Sequence, residues 1–320
     1  MSAEKTDFSN LVKGILDLAE EHGIAPHENA RRLKSDDDQT QTVQNAIHKL
    51  SEITPASPLQ IRTIHHFSCS GGTMLAKCIA SMSNTVVLNE VDPLSAIPFR
   101  GDLDRFSPTD LIALMHQSGS PPEPELVAKL FGNSIQQVAQ TLEQSGKTLV
   151  LRDHTHGHFL YGAGRDNRYT LKRILEDAEL PLLSLVTVRH PVRSYQSMVK
   201  MGWDGHLTPN TFDEYCKRYL SFLKAYEGTP VVQYENFVAD PIQVMQTICE
   251  HLELGFFEDF QDVFDSFKFS GDSGRTSGTI EPRPPTPIDD AILAQLNCSS
   301  YHELVEKLNY DSEVHGENGS

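Results

Sequence analysis

Three short segments hold most of the residues that could do chemistry. In the first, His66-Phe67-Ser68-Cys69-Ser70-Gly71-Gly72-Thr73, an apolar strand runs through a Gly-Gly turn into a helix. Backbone N–H groups and a helix N-terminus can then converge on a phosphate, with Ser70 and Thr73 adding hydroxyls. In the second, Val188-Arg189-His190-Pro191-Val192-Arg193-Ser194-Tyr195-Gln196-Ser197, a fixed cation ends another apolar strand and Ser197 follows on the next helix. Both could hold a second phosphate. Together the two segments suggest a nucleotide phosphorylated at two places. The third, Leu149-Val150-Leu151-Arg152-Asp153-His154-Thr155-His156-Gly157-His158, ends a strand in a cation, a carboxylate and alternating histidines. An imidazole titrates near neutrality and can take a proton from a reacting group. Asp153 would orient a neighbouring histidine or cap the next helix. Histidines two apart on an extended segment point the same way, which also permits a metal site; no matching Asp/His set elsewhere supports one, and no metal is expected.

These segments need strands that end at one edge of a sheet. From residue 61 the pattern alternates strands (61–67, 85–89, 148–152, 182–188 and 230–234) with helical stretches (73–82, 124–144, 167–178, 191–201, 211–226 and 241–252). Runs such as LVL and LLSLVTV are apolar without alternation, as strands covered on both faces require. Pro191 suits the first turn of a helix, so Arg189 projects at the carboxyl end of its strand, where open α/β sheets bind ligands. The pattern predicts an α/β fold with a central parallel sheet flanked by helices in three layers. Residues 1–58 read as a helical N-terminal extension, with Leu11, Ile15 and Leu18 at helical spacing and a charged linker at 31–38. The α/β domain spans 59–310, including a Gly, Ser and Pro rich loop at 270–287, and 311–320 form a polar tail.

Composition narrows the partners. At 320 residues and 38% hydrophobic the chain can bury a sizeable core, and its net charge of -17 argues against nucleic acid or anionic membranes as broad partners. An anionic ligand must be met by local cations. No segment approaches the ~20 apolar residues of a membrane-spanning helix, so no integral membrane segment is expected. Cys69, Cys78, Cys216, Cys249 and Cys298 are scattered and form no C-x-x-C pair, which favours a reduced, cytoplasmic setting.

The strand, glycine turn and helix resemble a P-loop, but Gly72 stands where the nucleotide triphosphatase pattern requires lysine. From about Arg62 to Pro287 the chain resembles the sulfotransferases that use 3′-phosphoadenosine 5′-phosphosulfate (PAPS). The matching segments are SCSGGT, RHPVRSYQS, QYENFVADP, and SGDSGRTSG with a following RPP. The resemblance implies a P-loop-like fold and transfer of a sulfuryl group from PAPS to an acceptor hydroxyl, or less readily an amine, by direct in-line attack. It implies that Ser70, Gly71, Gly72 and Thr73 bind the 5′ side of the donor and that Arg189 and Ser197 bind its 3′-phosphate. Arg275 closes over the nucleotide or is an ordinary loop arginine, and Tyr234 touches the adenine or packs the end of its strand. Many relatives carry a cation immediately before the Ser-Gly of the first loop, where this chain has Cys69. They also end the third strand in Lys-x-His, of which Arg152-Asp153-His154 resembles a variant. The resemblance thus implies His154 as base and Arg152 as the cation compensating for Cys69, with Asp153 beside them. Carbohydrates, lipids and small molecules are all open as acceptors. Trp203 and Tyr195 line an acceptor site or pack in the core. The competing readings are a P-loop phosphotransferase and a catalytically inactive nucleotide-binding protein.

Overall fold

The computed structural model describes residues 59–95, 110–161, 169–269, 279–284 and 286–312. The expected extension over 1–58, Arg275, and the tail from 313 lie outside the described residues. The strands among them are β1 (Ile61–His66), β2 (Thr85–Val91), β3 (Thr148–Asp153), β4 (Leu182–Val188) and β5 (Val231–Gln233). They form one parallel sheet in the order β2-β3-β1-β4-β5. The chain leaves central β1 in one direction to reach β2 and later crosses to β4 on the other side. The carboxyl end of β1 is therefore the switch point, where open parallel sheets form a crevice.

The helices are α1 (Gly72–Ala80), α2 (Leu111–Gln117), α3 (Pro124–Gln144), α4 (Thr155–Phe159), α5 (Leu171–Asp177), α6 (Pro191–Lys200), α7 (Phe212–Ala225), α8 (Tyr234–Ala239), α9 (Pro241–Leu252), α10 (Phe260–Val263), α11 (Asp290–Leu293) and α12 (Ser299–Leu308). Alternate strand residues point to opposite faces, so the sheet carries two cores. On one face Ile64, Val150 and Leu185 pack with Leu75 and Ile79 of α1 and Met245, Ile248 and Leu252 of α9. On the other, Phe67, Val186 and Val188 pack with Val192 and Met198 of α6, Tyr215, Tyr219 and Phe222 of α7, and Tyr301 and Leu304 of α12. This is the expected three-layer α/β arrangement. Burying each such side chain contributes about 1.5–3 kcal/mol, which fixes the strand ends on which the site depends.

Helix starts follow local chemistry. The Thr211 hydroxyl accepts from the Glu214 N–H at 3.2 Å to start α7, and the Asp240 carboxylate accepts from the Gln243 N–H at 3.1 Å to start α9, where Pro241 takes the first helical position. α6 begins at Pro191 directly after β4. Its residues Val192, Tyr195 and Met198 are buried, leaving Arg193, Gln196 and Ser197 on the half-buried side. The strands expected from sequence are all present with ends shifted by a residue or two, whereas the short helices α2, α4 and α8 were not anticipated. No described helix is long and apolar enough to cross a membrane.

Candidate functional site

The glycine loop begins with Phe67, fully buried and stacked on Tyr219 at a ring separation of 4.3 Å. The Ser70 hydroxyl donates to Phe67 O at 2.7 Å and lies 3.2 Å from Thr187 O, so this side chain staples the turn to β4 and turns inward. Its part in any anion site is to shape the loop. Cys69 and Gly71 both have positive φ, 60° and 88°, the left-handed region that a glycine adopts without strain. Close approach also demands the two glycines. A Cβ on Gly71 would lie 2.1 Å from Cδ2 of Tyr234, and one on Gly72 would lie 2.2 Å from Cγ of His66. The loop is thus pressed between two rings, with α1 starting at Gly72.

His66 lies against that loop. Its Nε2 is 2.9 Å from Arg152 Nη2, a donor, so Nε2 accepts and the neutral ring carries its proton on Nδ1. Burial first, then the Arg152 charge, holds the His66 pKa well below its ordinary value. Nδ1 is buried and has no hydrogen-bond partner among the described residues. A buried donor of this kind is costly unless an acceptor meets it. Burial pushes the Cys69 thiol up to about 11, so it stays protonated at neutral pH and is a poor nucleophile.

Arg189 and Ser197 meet beside the loop, as their spacing predicts. Nη1 of Arg189 donates to Ser197 Oγ at 3.1 Å and to Cys69 O at 3.3 Å, while its Cζ sits 4.9 Å from the centroid of the Tyr234 ring. Tyr234, the first residue of α8 rather than the end of β5, therefore lies against both the glycine turn and the arginine. Arg193, one turn before Ser197, donates to Thr286 O at 2.5 Å, and burial together with the Arg189 charge lowers its pKa. Two guanidiniums and a hydroxyl thus gather at the carboxyl end of β4.

On the other side of the loop, Arg152 is buried at the end of β3. Its Nη2 donates to Thr73 Oγ1 at 2.9 Å, so the cation reaches the first turn of α1. Its Nη1 donates to Asn89 Oδ1 at 2.6 Å and pairs with Glu90 Oε1 at 2.6 Å. The second Glu90 oxygen lies 3.4 Å from His154 Nε2. Sequence reasoning missed Glu90. It stands where the β2–β3 register shifts between Leu88 and Val91, with φ of 58°, a conformation that costs a non-glycine residue on the order of 1 kcal/mol or more. The available signal was a polar pair, Asn89-Glu90, closing an apolar run at a strand's carboxyl end.

Asp153 is placed differently from its catalytic expectation. It does orient a histidine, but this is His65 on β1, with Oδ2 2.7 Å from Nδ1, and it accepts from the Tyr226 hydroxyl at 2.6 Å. Arg152 and Asp153 alternate across the sheet, so the carboxylate enters the α7 core, away from His154. The extended geometry that would have permitted a metal site in the histidine run is not found, because α4 starts at Thr155. His158 turns into the core beside Phe159, while His156 stays at the site. His156 Nδ1 is 3.1 Å from Ser68 Oγ and its Nε2 is 2.8 Å from His206 Nδ1. Burial, first, and the neighbouring imidazoles lower its pKa to about 3, so it is neutral at physiological pH. Trp203 meets His156 edge-on at 5.6 Å; Tyr195 packs in the core against Phe212 and Tyr215.

Fold and side chains together define a parallel α/β protein with a glycine loop at its switch point, a paired arginine and serine on one flank and a Glu-His-Arg cluster on the other. No family model matches the chain, and no curated protein matches it. Among solved structures it is similar to the sulfotransferase domain of the olefin synthase of Synechococcus PCC 7002, with a TM-score of 0.47 and 17% identity over 81% of this chain and 97% of that one. It is also similar to a sulfotransferase from Alicyclobacillus acidocaldarius, with a TM-score of 0.37 and 12% identity over 80% of this chain and 98% of the other. Likeness of this degree carries no chemistry, which rests on the side chains described above.

Proposed function

We propose that the protein is a sulfotransferase that uses PAPS as donor and an acceptor hydroxyl, on a carbohydrate, lipid or small molecule, as nucleophile, with an amine as the lesser alternative. The observation that carries this reading is the meeting of Arg189 Nη1 with Ser197 Oγ at 3.1 Å against the glycine loop, through Cys69 O. A donor phosphorylated at two places needs both sites side by side. The residues fit such a group. The Gly71-Gly72 turn carries no Cβ and is packed between the Tyr234 and His66 rings, and the buried His66 Nδ1–H lies beside Gly72 with no acceptor among the described residues. Gly71, Gly72 and Thr73 would hold the 5′ side, Ser70 would set the loop's shape, and Arg189 and Ser197 would hold the 3′-phosphate with Tyr234 against them. Arg275 is carried as a further donor-binding residue on the resemblance alone.

PAPS supplies the sulfuryl group. His154 receives the proton of the acceptor hydroxyl as the new O–S bond forms. The S–O bond to the 5′-phosphate breaks, its electron pair remaining on the phosphate oxygen of departing adenosine 3′,5′-bisphosphate. Arg152, reaching Thr73 from below, is the cation on that side of the loop, in place of one at position 69. Asp153 has no part in this step. All five cysteines are free thiols and three are buried, which supports a reducing, cytoplasmic setting.

Calorimetric titration with adenosine 3′,5′-bisphosphate, followed by turnover of sulfur-labelled PAPS against a panel of hydroxyl acceptors, tests the reading. Binding and label transfer are expected. Absence of bisphosphate binding together with tight magnesium-dependent ATP binding would favour phosphoryl transfer instead.

A further inference from the structure

We infer that Glu90 is a positioning residue that sets the tautomer of His154, so that the proton of the acceptor is taken at Nδ1. The inference rests on the proposed role of His154 as base. The geometry fixes the direction of each contact around the carboxylate. Arg152 can only donate, and its Nη1 lies 2.6 Å from Oε1. The other oxygen, Oε2, lies 3.4 Å from His154 Nε2, within ion-pair distance. A carboxylate facing a ring nitrogen favours the proton on that nitrogen, so Nε2 carries the hydrogen and Nδ1 is left with a lone pair. Only a nitrogen with a lone pair can receive a proton.

The surroundings hold this arrangement in place. Glu90 sits at the register shift of the β2–β3 ladder with φ of 58°, which aims its side chain along the carboxyl edge of the sheet at both partners. Arg152 in turn donates to Thr73 Oγ1 and to His66 Nε2, both at 2.9 Å. Arg152 from β3 pairs with Glu90, His66 from β1 lies near His154, and the His156 ring from α4 stacks on His154 at 6.2 Å. A continuous contact path, His154 to Glu90 to Arg152 to Thr73, links the base to the loop proposed for the donor.

Glu90→Gln discriminates this role from a merely structural one. The amide oxygen must stay on Arg152, which offers only hydrogens, so the amide NH₂ turns to His154 Nε2 and makes it an acceptor. The proton then moves to Nδ1, the wrong nitrogen for a base. Nitrogen NMR of His154 in the unliganded full chain should show Nε2–H in the wild type and Nδ1–H in Glu90→Gln. Turnover should fall about 10²-fold or more, the scale of a mispositioned base, with bisphosphate affinity nearly unchanged. In Glu90→Gln/His154→Asn the glutamate change should cost little beyond His154→Asn alone. A wild-type His154 protonated at Nδ1 overturns the inference even if the variant fails to fold, as does a variant with an unchanged tautomer. The NMR arm needs no turnover, so a failed PAPS assay beside the expected tautomers would count against the sulfotransferase reading and leave the Glu90–His154 pair standing.

Discussion

At the scale of single residues, the arginine at the end of β4 and the serine on α6 should separate cleanly. Arg189→Ala is expected to weaken adenosine 3′,5′-bisphosphate binding by about 10²-fold and Ser197→Ala by about tenfold or less, because charged hydrogen bonds exceed neutral ones. Calorimetric titration of each variant checks the ranking, and equal losses would sink it. Gly71→Ala meets both a Tyr234 carbon at 2.1 Å and a φ of 88°, so it should abolish bisphosphate binding with the chain still folded by circular dichroism. His156 provides a pH test. Its folded pKa of about 3 lies below the unfolded value near 6.5, so the unfolded chain binds more protons between these values. Its contribution to stability is full above about pH 6.5 and is lost as the pH falls toward 3. Urea unfolding at several pH values should give a shallower acid loss for His156→Asn than for the wild type. Gly71, Gly72, Arg189 and Ser197 were legible beforehand because strand, turn and helix are neighbours in the chain. Glu90 was not, since its partners come from the end of β3 and the residue after it, and its backbone conformation leaves no mark on composition.

At the scale of elements, the pairing of β1 with β3 explains why Asp153 departs from its expected role. Sequence reasoning placed it among histidines because they follow it in the chain, but β-strand alternation sends its side chain across the sheet to His65 and Tyr226. The network continues from His65 Nε2 to Thr63 Oγ1 at 2.9 Å and on to Ser184 Oγ at 2.8 Å, tying β3, β1, β4 and Tyr226 just past α7 together inside the core. Asp153→Asn should therefore lower unfolding free energy by about 3 kcal/mol, the scale of a broken buried pair, and leave bisphosphate affinity within about twofold. Urea denaturation and calorimetry decide; lost turnover in a fully stable variant would restore Asp153 to the catalytic group. The strands and long helices were legible because continuous apolar runs and helical spacing are properties of single segments. The order of strands in the sheet was not, and α4 was too short for its period to stand out.

At the scale of the whole molecule, a chain of net charge -17 would hold the proposed polyanionic donor with a few local cations, and it lacks the lysine that would cradle a triphosphate. The expectation is preference for PAPS over ATP, unchanged when divalent ions are chelated, because sulfuryl transfer needs no magnesium bridge between phosphates. Competition titration with and without chelator would read this directly, and loss of PAPS affinity on chelation would contradict it. The Arg189 flank of the site is also closed by the far end of the described chain. Gln233 Nε2 donates to Leu308 O at 2.9 Å, the Tyr310 hydroxyl donates to Glu235 Oε2 at 2.6 Å, and His190 Nε2 lies 3.1 Å from Asp311 O. Glu235 Oε1 in turn accepts from the His190 N–H at 3.1 Å, one residue after Arg189. Synthesis proceeds from the N-terminus, so β1 and its glycine loop leave the ribosome some 240 residues before the partners that brace Arg189's corner. A nascent chain stalled short of residue 308 would carry Gly71, Gly72, Thr73, Arg189 and Ser197, the residues proposed to hold phosphate, and still lack that brace.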